Sequence, residues 1–139
     1  ENAQGFGILT KNEDKKSFLG ILFNSRIFHH VSPKDKELFT VIAGGSRQKK
    51  LLNMDMRQLK NNVQMEVMNL LKCSCLPCLT NHFRYTKGIP QYNMEHQKII
   101  DEIKKFEIKN PNFLIIGNYV NGVSVSDCIK NSKMISKKI

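Results

Sequence analysis

Two groups of residues have types and spacing that could do chemistry. The first is Cys73-x-Cys75-x-x-Cys78-x-x-x-His82. Three thiols and an imidazole are a donor set for tetrahedral Zn²⁺. Structural zinc sites usually take two short-spaced pairs from separated loops, whereas these four lie within ten residues. The spacing therefore favours loop cysteines with no joint role. The second group is the run from Phe113 to Ile129, an apolar tetrapeptide, a glycine-containing turn and a helix start. A helix start presents unpaired N–H groups and the positive end of a dipole, which favours a phosphate or an electron-rich ring. Gly117 and Gly122 would let backbone approach a ligand closely. The alternative on these residues alone is an ordinary β–α corner. Cys128 falls just after that turn and reads as a small buried apolar residue. His29 and His30 are adjacent, point different ways and read as a solvated loop beside Pro33.

The elements that must position these groups can be traced along the chain. Residues 5–10 and 18–23 are apolar runs joined by the polar turn Lys11 to Lys16, which predicts a hairpin. The second run is apolar on both faces, as in a strand covered on both sides. A third strand, 38–43, is closed by Gly44-Gly45. Asp55, with Gln58 three residues on, predicts the capped start of a helix over about 55–72, whose inward face is Leu59, Val63, Val67, Leu70 and Leu71. A short strand is expected at 82–86. A helix capped by Asn93 is expected over about 94–107, with Ile99, Ile100, Ile103 and Phe106 inward. Phe113-Leu-Ile-Ile116 reads as a central strand, and a last helix over about 124–137 turns Cys128, Ile129, Ser132 and Ile135 inward. The order is β-β-β-α-β-α-β-α, an α/β (α+β) chain with a mixed sheet and three main helices.

Composition bounds the partners. The chain has 139 residues, 40% of them apolar, enough for a core. Twenty-two basic and twelve acidic residues give a net charge of +10. No apolar run approaches the ~18–20 residues of a membrane span. The basic pairs Lys49-Lys50, Lys104-Lys105 and Lys137-Lys138 are scattered and not interleaved with aromatics, so no nucleic-acid partner is expected. A solvated surface or weak attraction to anionic lipid explains the charge better. Crowded cysteines make a poor disulfide framework, so reduced thiols and a cytoplasmic location are expected. The chain opens on Glu1 rather than Met and at once enters a strand-like segment, from which we expect a piece of a longer protein.

Several motifs together carry a resemblance. Gly117-Asn118-Tyr119-x-x-Gly122-Val123-x-Val125-x-Asp127-Cys128-Ile129 resembles the C-terminal flavin motif of the protoporphyrinogen oxidase family. Ile89-Pro90-Gln91-Tyr92, with His96 four residues later, resembles that family's Ile-Pro-Gln-Tyr…Gly-His element. Leu19-Gly20-Ile21-Leu22-Phe23-x-Ser25 and Phe39-Thr40-Val41-x-x-Gly44-Gly45 resemble its sheet segments. The motifs stand in family order and cover most of the chain.

The resemblance implies the C-terminal portion of an FAD-dependent, oxygen-using porphyrinogen oxidase of haem biosynthesis. Residues 1–112 would belong to a substrate-binding domain with a mixed sheet. Residues 113–139 would be the C-terminal strand-turn-helix of a glutathione-reductase-type FAD-binding domain. Val123, Ser124 and Val125 would line the flavin through their backbone, with Gly122 at the approach and Tyr85 in the nearby aromatic position. Gln91 and Tyr92 would be structural. No residue here would be a catalytic acid or base, and no metal is implied. The implied partners are protoporphyrinogen IX or coproporphyrinogen III, molecular oxygen and a peripheral membrane contact, with a homodimer left open. The chain departs from the family pattern in lacking Gly-x-Gly-x-x-Gly, in Glu95 where the family has Gly, and in Tyr85 where many members have Trp. The first departure implies that the chain alone is inactive and holds FAD weakly. The alternative in another class is a non-enzymatic remnant or binding module without a complete flavin site.

Overall fold

The structure is a computed structural model that describes residues 5–137. Glu1, Lys138 and the outer ends of the two expected domains lie outside the described residues. The chain divides into two compact units, one ending at His82 and one starting at Phe83.

The first unit is built on a three-stranded antiparallel sheet, β1 (Gly7–Leu9), β2 (Gly20–Phe23) and β3 (Phe39–Ile42), with β2 in the middle. A 3-10 turn at Asn12–Asp14 joins β1 to β2 in the expected hairpin. Gly7 faces Leu22 and Leu9 faces Gly20, while Ile21 pairs with Val41 and Phe23 with Phe39. The sheet is antiparallel among the described residues, not mixed. The short turn between β1 and β2 permits only antiparallel pairing, and β3 also pairs antiparallel with β2 after the longer connection that contains the helical turn at Asn24–Ile27.

Period-2 alternation sends Ile21 and Phe23 of β2 to one face, where they meet Phe18. Phe18, Ile21 and Phe23 are essentially inaccessible to solvent, and Phe23 sits edge-on to Phe39 with centroids 5.3 Å apart. After β2 come two short helices, α1 (Asn24–Ile27) and α2 (Lys49–Leu52), the latter following β3. His29 and His30 lie exposed in the loop after α1. Gly44 and Gly45 end β3 with φ of +90° and +73°, so the paired glycines make the turn the sequence predicts.

The long helix of this unit is α3 (Met56–Leu70). Its N-cap is Asp55, whose carboxylate accepts from the N–H groups of Arg57 and Gln58, so the expected cap is in place. Leu59 is buried, and Val63, Val67 and Leu71 pack on the sheet core. Leu70, on the same stripe, is exposed instead, at the last residue of the helix. Glu66 ties α3 to the sheet. Its carboxylate accepts from the Ser17 N–H at 2.7 Å and from the Ser17 hydroxyl at 2.8 Å.

The second unit has two helices, α4 (His96–Lys109) and α5 (Val125–Ile135). Helix α4 starts two residues later than expected, and Asn93 is not its cap. The N-cap is Glu95, which makes no side-chain cap bond, while the Asn93 carbonyl accepts from the His96 N–H at 3.0 Å. The half-buried face of α4 is Ile100, Ile103 and Glu107, whereas Ile99 and Phe106 are exposed. On α5, Asp127, Cys128, Asn131 and Ile135 are half-buried, and Ile129 and Ser132 are exposed.

Residues 82–86 and 113–116 form no strand. A strand is defined by a ladder partner, which an apolar run does not supply, and Phe113, Leu114 and Ile116 are exposed. The backbone N–H of Ile115 instead donates to the Glu107 carboxylate at 2.8 Å, and Phe113 packs edge-on against Phe106 with centroids 5.5 Å apart. Among the described residues no helix is long and apolar enough to cross a membrane.

Candidate functional site

The site is the turn from Gly117 to Ser124 at the head of α5. Its first half is a tight turn in which the Val120 N–H donates to the Gly117 carbonyl at 3.1 Å. Its second half is held by Tyr92, thirty residues back. The Tyr92 hydroxyl donates to the Asn118 carbonyl at 2.9 Å and accepts from the Gly122 N–H at 2.9 Å. The Tyr92 ring stacks on His96, with centroids 4.1 Å apart and planes 11° from parallel. One phenol thus bridges the two halves of the turn, and its ring is braced by the first residue of α4. Tyr92 was expected to be structural, and that is its place here. Tyr92→Phe removes both bonds and leaves two backbone groups to find water. We expect a loss of about 1–2 kcal/mol by chemical denaturation, with secondary structure retained.

Gly122 has φ of +126°, a conformation that glycine adopts without strain. A Cβ placed on it would come within 2.5–2.7 Å of the Asp127 side chain. The space that glycine leaves is therefore filled by Asp127, a residue of the chain itself. Ser124 is the N-cap of α5. Its hydroxyl oxygen accepts from the Asp127 N–H at 3.0 Å, and its O–H donates to Asp127 Oδ2 at 2.6 Å. Glycine, serine and aspartate make one interlocked corner. The Asp127 carboxylate stands in the first turn of α5, where the helix dipole favours negative charge.

Val123 and Val125 flank the corner with exposed side chains. Between them the backbone enters α5, whose first N–H groups have no intrahelical acceptor. So Gly122, Val123, Ser124 and Val125 are brought together by sequence. Tyr85 is exposed, lies outside regular structure and takes no part in the bonds of the turn. The aromatic residue that reaches the turn is Tyr92. Sequence reasoning missed the bracing role of Asp127 and the contact of Glu107 with Ile115. A Ser-x-x-Asp spacing opening a helix was the available signal for the first.

Two recesses adjoin the turn. One, of about 310 Å³, lies among Ile100, Ile103, Glu107, Ile115, Val120 and Ile135. The other, of about 450 Å³, is open and lies over Lys87–Pro90 and Asn118. The cysteine loop is arranged differently. Cys73 Sγ and Cys75 Sγ are 3.0 Å apart, while no three His, Cys, Asp or Glu side chains converge to hold a metal ion among the described residues. Of the basic pairs, Lys105 is engaged by Glu102 at 2.8 Å, a hydrogen bond that raises its pKa above the ordinary lysine value.

No protein-family model matches the chain. Individual relatives do. Protoporphyrinogen oxidase 2, chloroplastic/mitochondrial, of Arabidopsis thaliana is 33% identical over 129 residues, 91% of this chain and 25% of that protein. Protoporphyrinogen oxidase of Schizosaccharomyces pombe is 32% identical, covering 98% of this chain and 29% of that protein. Over nearly its whole length this chain is similar to a part of protoporphyrinogen oxidases. It spans between a quarter and a third of the length of these curated relatives. The coproporphyrinogen III oxidase of Bacillus subtilis is also similar, at 20% identity over 94% of this chain. The protoporphyrinogen oxidase motifs of the sequence thus coincide with ordered features, the central strand β2, the Gly44-Gly45 turn, the Tyr92 bridge and the Gly122–Asp127 corner.

Proposed function

We propose that this chain is the C-terminal part of an FAD-dependent, oxygen-using porphyrinogen oxidase, acting on protoporphyrinogen IX or coproporphyrinogen III in haem biosynthesis. Residues 1–112 would serve the substrate domain and residues 113–139 would close the flavin domain. The observation that carries this reading is the Gly122–Asp127 corner in a chain at least 32% identical to two protoporphyrinogen oxidases.

The residues fit one part of FAD and not another. Asp127 fills the hollow at Gly122 and puts negative charge in the first helical turn. A diphosphate would meet that charge at close range, which disfavours it. A neutral, electron-rich ring would not, and the exposed side chains of Val123 and Val125 offer it an apolar, water-excluding border. The chain also lacks a Gly-x-Gly-x-x-Gly turn for the diphosphate. Bound FAD would accept reducing equivalents from the porphyrinogen and deliver them to O₂. The chain's residues position and shield it. Ser124 fixes the backbone of Val123 and Val125, Tyr92 fixes Gly122, and Tyr85 supplies an exposed aromatic surface. None of them moves a proton.

Phe113, Leu114 and Ile116 are exposed although residues 113–116 are apolar throughout, and further parts of the longer protein would cover them. The net charge of +10 supports a peripheral contact with an anionic membrane surface. Flavin content tests the reading. FAD released by acid and quantified by chromatography should be stoichiometric in the protein joined to a diphosphate-binding portion, and near zero in the isolated 139-residue chain. Stoichiometric flavin on the isolated chain would refute the division of labour. None on the joined protein would refute the flavin reading itself.

A further inference from the structure

We propose that Cys73 and Cys75 are an oxidation site, a thiol pair that hydroperoxides convert into an intrachain disulfide. The proposal does not depend on the function proposed above. It starts from the end of α3. Lys72 has φ of +50°, which turns the chain back, and the Cys73 N–H donates to the Met68 carbonyl at 2.9 Å. The backbone of Cys73 is thus anchored to the last turn of the helix. Cys75 follows after one serine and is exposed, while Cys73 is half-buried. The two sulfurs stand 3.0 Å apart. A disulfide requires about 2.05 Å, so closure brings the two sulfurs together by roughly 1 Å.

The two thiols are also unequal. The Cys75 thiol, and secondarily its backbone, hydrogen-bond to Cys73 and lower the pKa of Cys73 below the ordinary thiol value. The same contact raises the pKa of Cys75. With its backbone anchored to α3 and its sulfur beside that of Cys75, Cys73 is taken as the nucleophile toward peroxide, the direction of its shift agreeing with that role. The Cys73 thiolate attacks one peroxide oxygen, the O–O bond breaks, and the departing hydroxide takes up a proton as water. Cys73 is then a sulfenic acid, oxidised by two electrons. The Cys75 thiol loses its proton and attacks the Cys73 sulfur, forming the S–S bond and expelling the sulfenic oxygen as a second water. Two thiols and one hydrogen peroxide give one disulfide and two waters. The resulting ring spans Cys73, Ser74 and Cys75 alone and is exposed at Cys75, so small thiols should reopen it.

The test uses the reduced 139-residue chain, titrated with hydrogen peroxide at neutral pH, then alkylated and mapped by mass spectrometry. The expected product is lighter by two hydrogens, with Cys73 and Cys75 joined inside one peptide and with Cys78 and Cys128 still alkylated. Dithiothreitol should reverse it. In Cys75→Ser the intermediate cannot be resolved, and dimedone should label Cys73 several-fold more than Cys78. In urea that several-fold preference should vanish. Disulfides to Cys78 or Cys128 in comparable yield, or equal labelling of Cys73 and Cys78 in the folded chain, would overturn the proposal. Mapping of the unsubstituted chain decides the pairing even if a variant does not fold.

Discussion

Gly122→Val should remove bound flavin from the complete protein and destabilise the C-terminal unit, whereas Ser124→Ala should do little of either. The argument rests on two independent penalties at Gly122. Its φ of +126° is a conformation that a β-branched residue adopts only under strain. Strain of that kind costs about 1–3 kcal/mol. A Cβ would also stand 2.5–2.7 Å from Asp127, itself held by two hydrogen bonds with Ser124, one accepted by its carboxylate and one donated by its backbone N–H. Relief means expelling Asp127, which undoes the cap and the corner together. Ser124→Ala loses a cap of ~1 kcal/mol but keeps the backbone path of Val123 and Val125. Flavin retention after gel filtration and the urea midpoint should therefore separate the two variants clearly. Equal behaviour would mean that the corner does not set the flavin site.

Phe18→Ala should have the largest effect on the sheet unit. Phe18 is wholly buried and packs with Ile21, Phe23 and the inner face of α3. Removing the ring from a site that cannot collapse costs about 3–5 kcal/mol. Phe18 is one of only four buried hydrophobic residues among those described, so few neighbours can fill the gap. We expect loss of a cooperative thermal transition by circular dichroism. Leu9→Ala on the same sheet is the control, since Leu9 is 86% exposed and should shift stability by no more than about 0.5 kcal/mol. Similar transitions in the two variants would contradict the placement of the core.

Much of this was legible from local signals. The hairpin of β1 and β2 followed from two apolar runs around a charged turn, and Asp55 announced α3 because its carboxylate must satisfy orphan N–H groups. Partners distant in sequence were not legible. Nothing near Tyr92 in the chain indicates that its hydroxyl meets Asn118 and Gly122, twenty-six and thirty residues on. The helix faces show a subtler limit. Ile99, Ile100, Ile103 and Phe106 form a wide apolar arc on α4, and periodicity cannot say which edge of the arc packs. The structure half-buries the Ile100–Ile103–Glu107 side, where the Glu107 carboxylate accepts from the Ile115 N–H. At 113–116 the apolar run signalled burial, but a ladder partner is a property of another segment.

Porphyrin formation is the most direct test of the central claim. The chain, joined to a diphosphate-binding portion and purified with its flavin, would be given protoporphyrinogen IX, and in parallel coproporphyrinogen III, in aerated buffer. Porphyrin fluorescence would be followed against a no-protein control and against Gly122→Val. The account predicts oxygen-dependent fluorescence with one of the two substrates, well above the spontaneous rate and abolished by Gly122→Val. Flavin-loaded protein that oxidises neither porphyrinogen above the spontaneous rate would contradict it.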